Sequence, residues 1–456
     1  MNTEVLKIES ITPEKDVVFL VGGLKEIPSS YFSKEEIKYI NREKTDGKDL
    51  AHINRLGYRY FVWFISSEKE PWIKFEKCRK GGNELAGIVN GMKIQSLIVS
   101  GGKGYDGEIL AFLEGIILGN YQFLKYKSDK KRQNSLKRVS VYSEITSEEI
   151  KELVIVTESV CHCRNMVNEP NSTLNAETFT KEVVKLGKSC GAKVEVMNRQ
   201  KLESLKMGGL LAVNKASNEP PTFTIMEWAP SKAVNKNPII FVGKGVVYDT
   251  GGMNLKPGDS MLNMKDDMAG AAAVACAIHA IAGAGLPVHV IGLMPATDNK
   301  IGPNAIVPGD VITMFKGTTV EVINTDAEGR LILADALSYA SRFKPELVID
   351  LATLTGAAVR AIGSFGIVAM QSKASDRIEK LKESGWRVFE RIVEFPLWEE
   401  YGELIKSDIA DLKNLGPGEA GAITAGKFLE HFTDYPYIHL DIAGPAYLEK
   451  GDSYRG

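Results

Sequence analysis

Thr319-Val-Glu-Val-Ile323, Asn324-Thr-Asp-Ala-Glu-Gly-Arg330 and Leu331-Ile-Leu-Ala-Asp-Ala-Leu337 follow one another without a break. The first segment is short and β-branched, which predicts a buried strand. The third carries Leu331, Leu333, Ala334 and Leu337 and opens a helix predicted over about 330–343. Between them, Asp326, Glu328 and Arg330 crowd a turn containing one glycine. An aspartate in a turn is commonly a cap or turn former, but turn chemistry does not need acids at both positions.

The same strand–loop–helix unit recurs upstream and downstream. Pro238–Val242, Val288–Leu293 and Leu347–Leu351 read as further strands, each followed by a glycine- or charge-bearing loop, and a second helix is predicted at about 266–283. This alternation predicts an open, largely parallel α/β sheet, whose ligand crevice lies beyond the carboxyl ends of the strands. Lys244, Asp249, Asp326, Glu328 and Thr353–Gly356 all follow such ends. Asp267 is expected in the first turn of the Ala-rich helix, where the positive end of the macrodipole holds an anion.

The N-terminal portion alternates strand-like runs (Val17–Val21, Tyr60–Ile65, Leu97–Val99) with a helix expected over Asp106–Tyr121. It contains no reactive constellation. Thr146-Ser-Glu-Glu149 is a capping box that opens a helix running to about Asn168, where Asn168-Glu-Pro170 ends it. The expected organisation is therefore an N-terminal α/β domain over 1–145, a linker helix over 146–170 and a catalytic domain over 171–456.

A chain of 456 residues with 44% hydrophobic and 25% charged residues fits two globular domains. A net charge of −2 argues against bulk affinity for nucleic acid or anionic membranes. The one basic run, Lys125 to Arg138, holds seven bases and one acid and reads as a solvated loop. Five cysteines form no disulfide framework and suggest a reducing compartment. Met1-Asn-Thr-Glu4 lacks a signal-peptide pattern. The weakly polar run Ala269 to Leu286 is mostly Ala and Gly, which predicts a tightly packed buried helix rather than a membrane span.

Four acids (Asp249, Asp267, Asp326, Glu328) and three bases (Lys244, Lys256, Arg330) thus fall in segments that otherwise read as core. Buried charges are costly unless paired or metal-bound, and clustered carboxylates suit hard or borderline dications, here a pair of them. Lys244 after Gly243 superficially suggests a phosphate cradle, but the full glycine spacing and the following hydroxyl are absent. A lysine in a dry site could instead lose its proton and ligate a cation. Lys256 and Arg330 suit charge stabilisation. Rival chemistries are weak: no His-Glu-x-x-His is present, Cys161-His-Cys163 lies on a predicted helix, and Ile362-Gly-Ser364-Phe-Gly366 lacks nucleophile-elbow spacing.

Asn324–Arg330 resembles the signature of the cytosolic leucyl aminopeptidase family, the dimetal enzymes that include bacterial aminopeptidase A. Gly243–Gly252, Met264–Ala272, Asp350–Gly356, Gly421–Gly426 and His439–Gly444 are similar to further family motifs, in family order. The resemblance implies an α/β fold with a smaller N-terminal domain and a C-terminal catalytic α/β/α sandwich on a mixed, largely parallel sheet. It implies Lys244, Asp249, Asp267 and Glu328 as ligands of one divalent ion, and Asp249, Asp326 and Glu328 as ligands of a second. The ions would be Mn or Zn, with Mg or Co also compatible.

By the same resemblance Lys256 and Arg330 are the catalytic pair, with Arg330 binding a bicarbonate, and Met264, Asn324, Ala327, Thr353, Leu354 and Gly356 line the pocket for the first substrate residue. The expected activity is release of N-terminal Leu- or Met-like residues from peptides, with broad specificity, by a cytoplasmic homohexamer without membrane or nucleic-acid partners. Asp266 and Pro445-Ala446 depart from the family pattern, as does the C-terminus at Gly456. Rival expectations are a non-enzymatic, DNA-binding scaffold and a Cys-Gly dipeptidase.

Overall fold

The computed structural model describes residues 3–129 and 131–456. Met1, Asn2 and Lys130, the last within the basic run, lie outside the described residues. The chain divides into two compact units. The first comprises residues 1–161, 386–389 and 448–456; the second comprises 162–385 and 390–447. The division falls inside the helix Ser147–Asn168. That helix begins as the capping box predicts: Thr146 Oγ1 accepts from Glu149 N at 3.2 Å, and Thr146 N donates to Glu149 Oε2 at 2.8 Å.

In the first unit a six-stranded sheet runs in the order Glu4–Lys7, Arg138–Tyr142, Ser96–Gly101, Val17–Val21, Arg59–Phe64, Leu50–Asn54. Only the last pairing is antiparallel. Every residue of Val17–Val21 is buried, as expected of a central strand covered on both faces. The C-terminal segment packs into this unit, with Tyr454 donating to Glu76 at 2.6 Å and Arg455 at 2.8 Å.

The second unit is built on a nine-stranded sheet. Eight strands follow the order Ile392–Glu394, Ile367–Ser372, Tyr437–Asp441, Leu347–Ala352, Ile239–Gly243, Val290–Asn299, Thr222–Trp228, Lys193–Met197, and Gly245–Asp249 pairs with Val290–Asn299 off that path. The pairings from Tyr437–Asp441 through Leu347–Ala352 and Ile239–Gly243 to Val290–Asn299 are parallel, and antiparallel strands occur toward the edges. The architecture is mixed and largely parallel, as expected. Helix Ala269–Gly283 packs against this sheet through Ala271, Ala272, Val274, Ala275 and Ile278, small or branched residues that allow close approach. The opposite side carries Gly329–Ala340, all of whose residues are buried. Among the described residues no helix is long and apolar enough to cross a membrane.

Two local expectations are corrected. Thr319–Glu321 is not a strand of the large sheet. It lies in a separate three-stranded sheet, antiparallel to Val311–Thr313 and parallel to Leu412–Lys413. A β-branched run announces a strand but not its neighbour, which long-range pairing decides. Asp267 also sits outside the Ala-rich helix. It closes a short turn over Met264–Asp266, and Met268 precedes the first helical residue, Ala269. Its carboxylate is therefore met by side chains, the Lys244 ammonium and the Thr353 hydroxyl, rather than by a helix terminus.

Candidate metal centre

Central strands deliver the charged residues to one end of the large sheet. Val290–Asn299 is buried throughout, apolar at first and ending in Thr297, Asp298 and Asn299. Its neighbour Ile239–Gly243 hands over directly to Lys244, and Gly245–Asp249 ends in Asp249. Leu347–Ala352 leads into Thr353. The polar residues thus follow strand ends, where an open α/β sheet forms its crevice.

Lys244, 3% exposed, reaches Asp267 Oδ1 at 2.7 Å and Glu328 Oε1 at 3.1 Å, and donates to the carbonyl of Thr353 at 2.9 Å. Gly329 makes room for it: a Cβ there would lie 2.4 Å from Lys244 Cε, so the loop tolerates no larger residue without displacing the lysine. Lys256 lies 2.7 Å from Asp249 Oδ2 and 2.7 Å from Asp326 Oδ1. One carboxylate oxygen each from Asp249, Asp326 and Glu328 falls within 4.8 Å of the others. All four acids named from the sequence therefore converge with both lysines.

The electrostatics follow from crowding. Burial pushes the Glu328 carboxyl up to about 7, Asp249 beside it adds to the rise, and Lys244 and Lys256 oppose it. Burial likewise raises Asp267 against the pull of Lys244, and raises Asp326 against its bond to Lys256. For Lys244 burial acts downward, but Asp267, Glu328 and Asp249 reverse it and hold the ammonium above its ordinary value. Lys256 behaves the same way beside Asp249 and Asp326. Asp266, the extra acid, is raised by burial to about 6 and is only partly exposed.

Even so, the cluster is not self-satisfied. Asp267 Oδ2 and Glu328 Oε2 are buried without a hydrogen-bond partner. Leaving such acceptors unpaired costs roughly 1–3 kcal/mol each, and more when charged. Arg330, 4% exposed, donates through one terminal nitrogen to the carbonyl of Asn414 at 2.8 Å, while its Nε has no partner. Burial lowers the Arg330 pKa to about 10.

The remaining predicted residues surround this centre to different degrees. Thr353 Oγ1 donates to Asp267 Oδ1 at 2.7 Å, Leu354 N donates to Asp441 Oδ1 at 3.2 Å, and Gly356 opens the helix Gly356–Ile362. Asn324 Oδ1 accepts from Asp326 N at 2.7 Å, and Ala327, the residue after Asp326, is buried. Met264 begins the turn that packs on Gly245–Asp249.

Three buried residues to which the sequence assigned no role hold the loops that carry these side chains. Asn414 accepts from Ile323 N at 2.8 Å and donates to the Asn324 carbonyl at 2.7 Å, so it pins the loop that carries Asp326, Glu328 and Arg330. Thr325 Oγ1 donates to the Gly251 carbonyl at 2.6 Å and accepts from Asn254 N at 2.8 Å. Asp441, inside a quoted motif but given no role, accepts from Thr355 Oγ1 at 2.7 Å. Lone asparagines and threonines carry no local pattern, and only the fold shows what they hold.

Fold and site together define a two-unit α/β protein with a carboxylate- and lysine-lined crevice, and solved structures share this architecture. A tomato leucine aminopeptidase mutant aligns with a TM-score of 0.85 at 27% identity, covering 98% of this chain and 92% of the other. The bottromycin maturation enzyme BotP in complex with Mn aligns at 0.84 and 29% identity, covering 96% and 95%. Residues 161–456 match the catalytic domain of the cytosol aminopeptidase family. A probable cytosol aminopeptidase of Chlorobium limicola is 44% identical over 409 residues, 84% of this chain and 81% of that protein. One from Clostridium perfringens is 39% identical over 399 residues, 85% and 81% respectively. The chain belongs to the cytosol aminopeptidase family, metal-dependent hydrolases that act on the N-termini of peptides.

Proposed function

We propose that this protein releases N-terminal residues from peptides at a centre for two divalent ions. The carrying observation is the pair of buried, unpartnered carboxylate oxygens, Asp267 Oδ2 and Glu328 Oε2, beside three carboxylates spaced for a cation. That donor set fits the group: buried carboxylate oxygens without protein donors, plus Lys244, whose amine becomes a ligand once the ions displace its proton. Lys244, Asp249, Asp267 and Glu328 would hold one ion and Asp249, Asp326 and Glu328 the other, with Asp249 and Glu328 shared. The manganese held by the structurally similar BotP supports Mn as one occupant, and Zn, Mg or Co suit the same ligands. When bound, such a pair supplies an acidified water and Lewis-acid polarisation of a carbonyl.

The chain's own groups do the rest. Lys256 has three N–H donors, and Asp249 and Asp326 take two, so the third is free to meet the oxygen that gains charge as the peptide carbonyl is attacked. Arg330 has an unpartnered buried Nε, which suits a small planar anion such as bicarbonate. Arg330 would hold such an anion beside the carboxylates, where it would supply a general base. Met264, Asn324, Ala327, Thr353, Leu354 and Gly356 line the pocket for the first side chain. A mainly apolar pocket of this kind favours Leu or Met but discriminates a methylene by only about 1–3 kcal/mol, so the preference is broad.

We place the enzyme in the cytoplasm as a homohexamer, on the family's name, the free thiols and the resemblance of its motifs. The decisive test is Glu328→Ala. Hydrolysis of Leu-p-nitroanilide should be abolished while circular dichroism stays native, and an active, metal-insensitive variant would refute the site.

A further inference from the structure

Asn299 ends the buried strand Val290–Asn299, is 2% exposed, and touches three segments at once. Its Nδ2 donates to Asp249 Oδ1 at 2.8 Å and to the Thr325 carbonyl at 3.0 Å. Its own carbonyl accepts from Thr250 N at 3.0 Å and Thr250 Oγ1 at 2.9 Å. Its side-chain oxygen faces Gly252, where a Cβ would lie 2.9 Å away; that glycine has φ +65° and can have no bulkier replacement without strain. Asp249 Oδ1 also accepts from Gly251 N at 2.8 Å. One oxygen of this carboxylate is therefore saturated by two N–H donors. The other, Oδ2, faces the charged centre and meets Lys256.

We infer that Asn299 is a positioning residue for the metal centre. It fixes the rotation of Asp249 so that Oδ2 alone is offered to a cation, and it clamps the Asp249 loop to the Thr325 segment that precedes Asp326. Both ligand loops then keep one spacing. This inference rests on the metal reading given above. Partners of this kind orient a ligand that would otherwise rotate, and their loss typically weakens metal affinity about 10–100-fold.

The test uses the full chain loaded with manganese and titrated with a competing chelator, reading the manganese released by its electron paramagnetic resonance signal. Asn299→Leu keeps the approximate volume and removes the donor; Asn299→Ser keeps a donor too short to span the gap. In each folded variant the chelator concentration for half release should fall by about 10–100-fold, more for Leu than for Ser. A wild-type midpoint in either variant, even with a lowered melting temperature, would overturn the inference and leave Asn299 as packing only.

Should neither variant fold, anomalous diffraction from the wild-type manganese form decides the matter. Ligation through Asp249 Oδ2 is expected, and ligation through Oδ1 would overturn the assignment. If the wild-type chain retains no manganese at the outset, the metal reading itself fails, which is a distinct result.

Discussion

Two charge clusters lie at the large sheet of the second unit, one fully buried and one with Asp326 exposed at its edge, and they are finished differently. In one, Asp350 and His439 sit opposite each other in register on adjacent strands, both fully buried. His439 Nδ1 lies 2.8 Å from Asp350 Oδ1 and 3.0 Å from Oδ2, and Tyr437 donates to the same carboxylate, so both carboxylate oxygens are used. Only the ring nitrogen Nε2 is left over. In the other, Lys244, Lys256 and four acids leave two carboxylate oxygens with no partner. A carboxylate closed by its own neighbours has its hydrogen-bonding capacity spent; one left open in a crevice keeps an oxygen for the proposed ions.

Predictions that break this contrast begin with the open cluster. Glu328→Ala removes an acid shared by both proposed ions. Turnover should fall to background, a loss of at least ~1,000-fold in kcat/KM, measured with the fold checked by circular dichroism. For the closed cluster, Asp350→Ala strands His439 and Tyr437 without their acceptor. Chemical denaturation should show a loss of about 3–5 kcal/mol, with activity per folded molecule retained. If Asp350→Ala instead removed metal while sparing stability, the distinction between the two clusters would collapse.

Lys256→Ala should lower kcat about 100-fold while changing KM little. A rise in KM at constant kcat would make it a ground-state binding group instead. The smallest effect concerns pH. Burial lowers the His439 pKa, but Asp350 more than reverses it, so the ring stays above its ordinary value of 6.5 in the folded chain. A raised folded value means the pair's stabilisation is complete below 6.5 and fades as pH rises through the folded value. Comparing melting temperatures of wild type and His439→Phe from pH 6 upward should show a declining wild-type advantage, and a widening one would reverse the assigned charge state.

How legible all this was depended on whether information was local. The two-unit α/β architecture and the strand–loop–helix rhythm came through because apolar runs and glycine breaks are local signals. So did Asp249, Asp267, Asp326 and Glu328, since charges in apolar surroundings stand out. The neighbours of Thr319–Glu321 did not, because pairing with Leu412–Lys413 is set some ninety residues away. Asn414 and Asn299 were invisible for the same reason, and Thr325, though inside Asn324–Arg330, was given no role: each is one ordinary polar residue whose meaning comes from the groups it meets. Asp267 was placed in a helix because an acid before an alanine run looks like a first turn, while the chain inserts a short turn first.

The central claim is that the open carboxylates hold a pair of dications. The most direct measurement is the manganese content per chain after dialysis to equilibrium, in wild type and in Glu328→Ala. The account predicts two ions per wild-type chain and fewer than two in the variant. Zero in the wild type, or the same number in both, would contradict it.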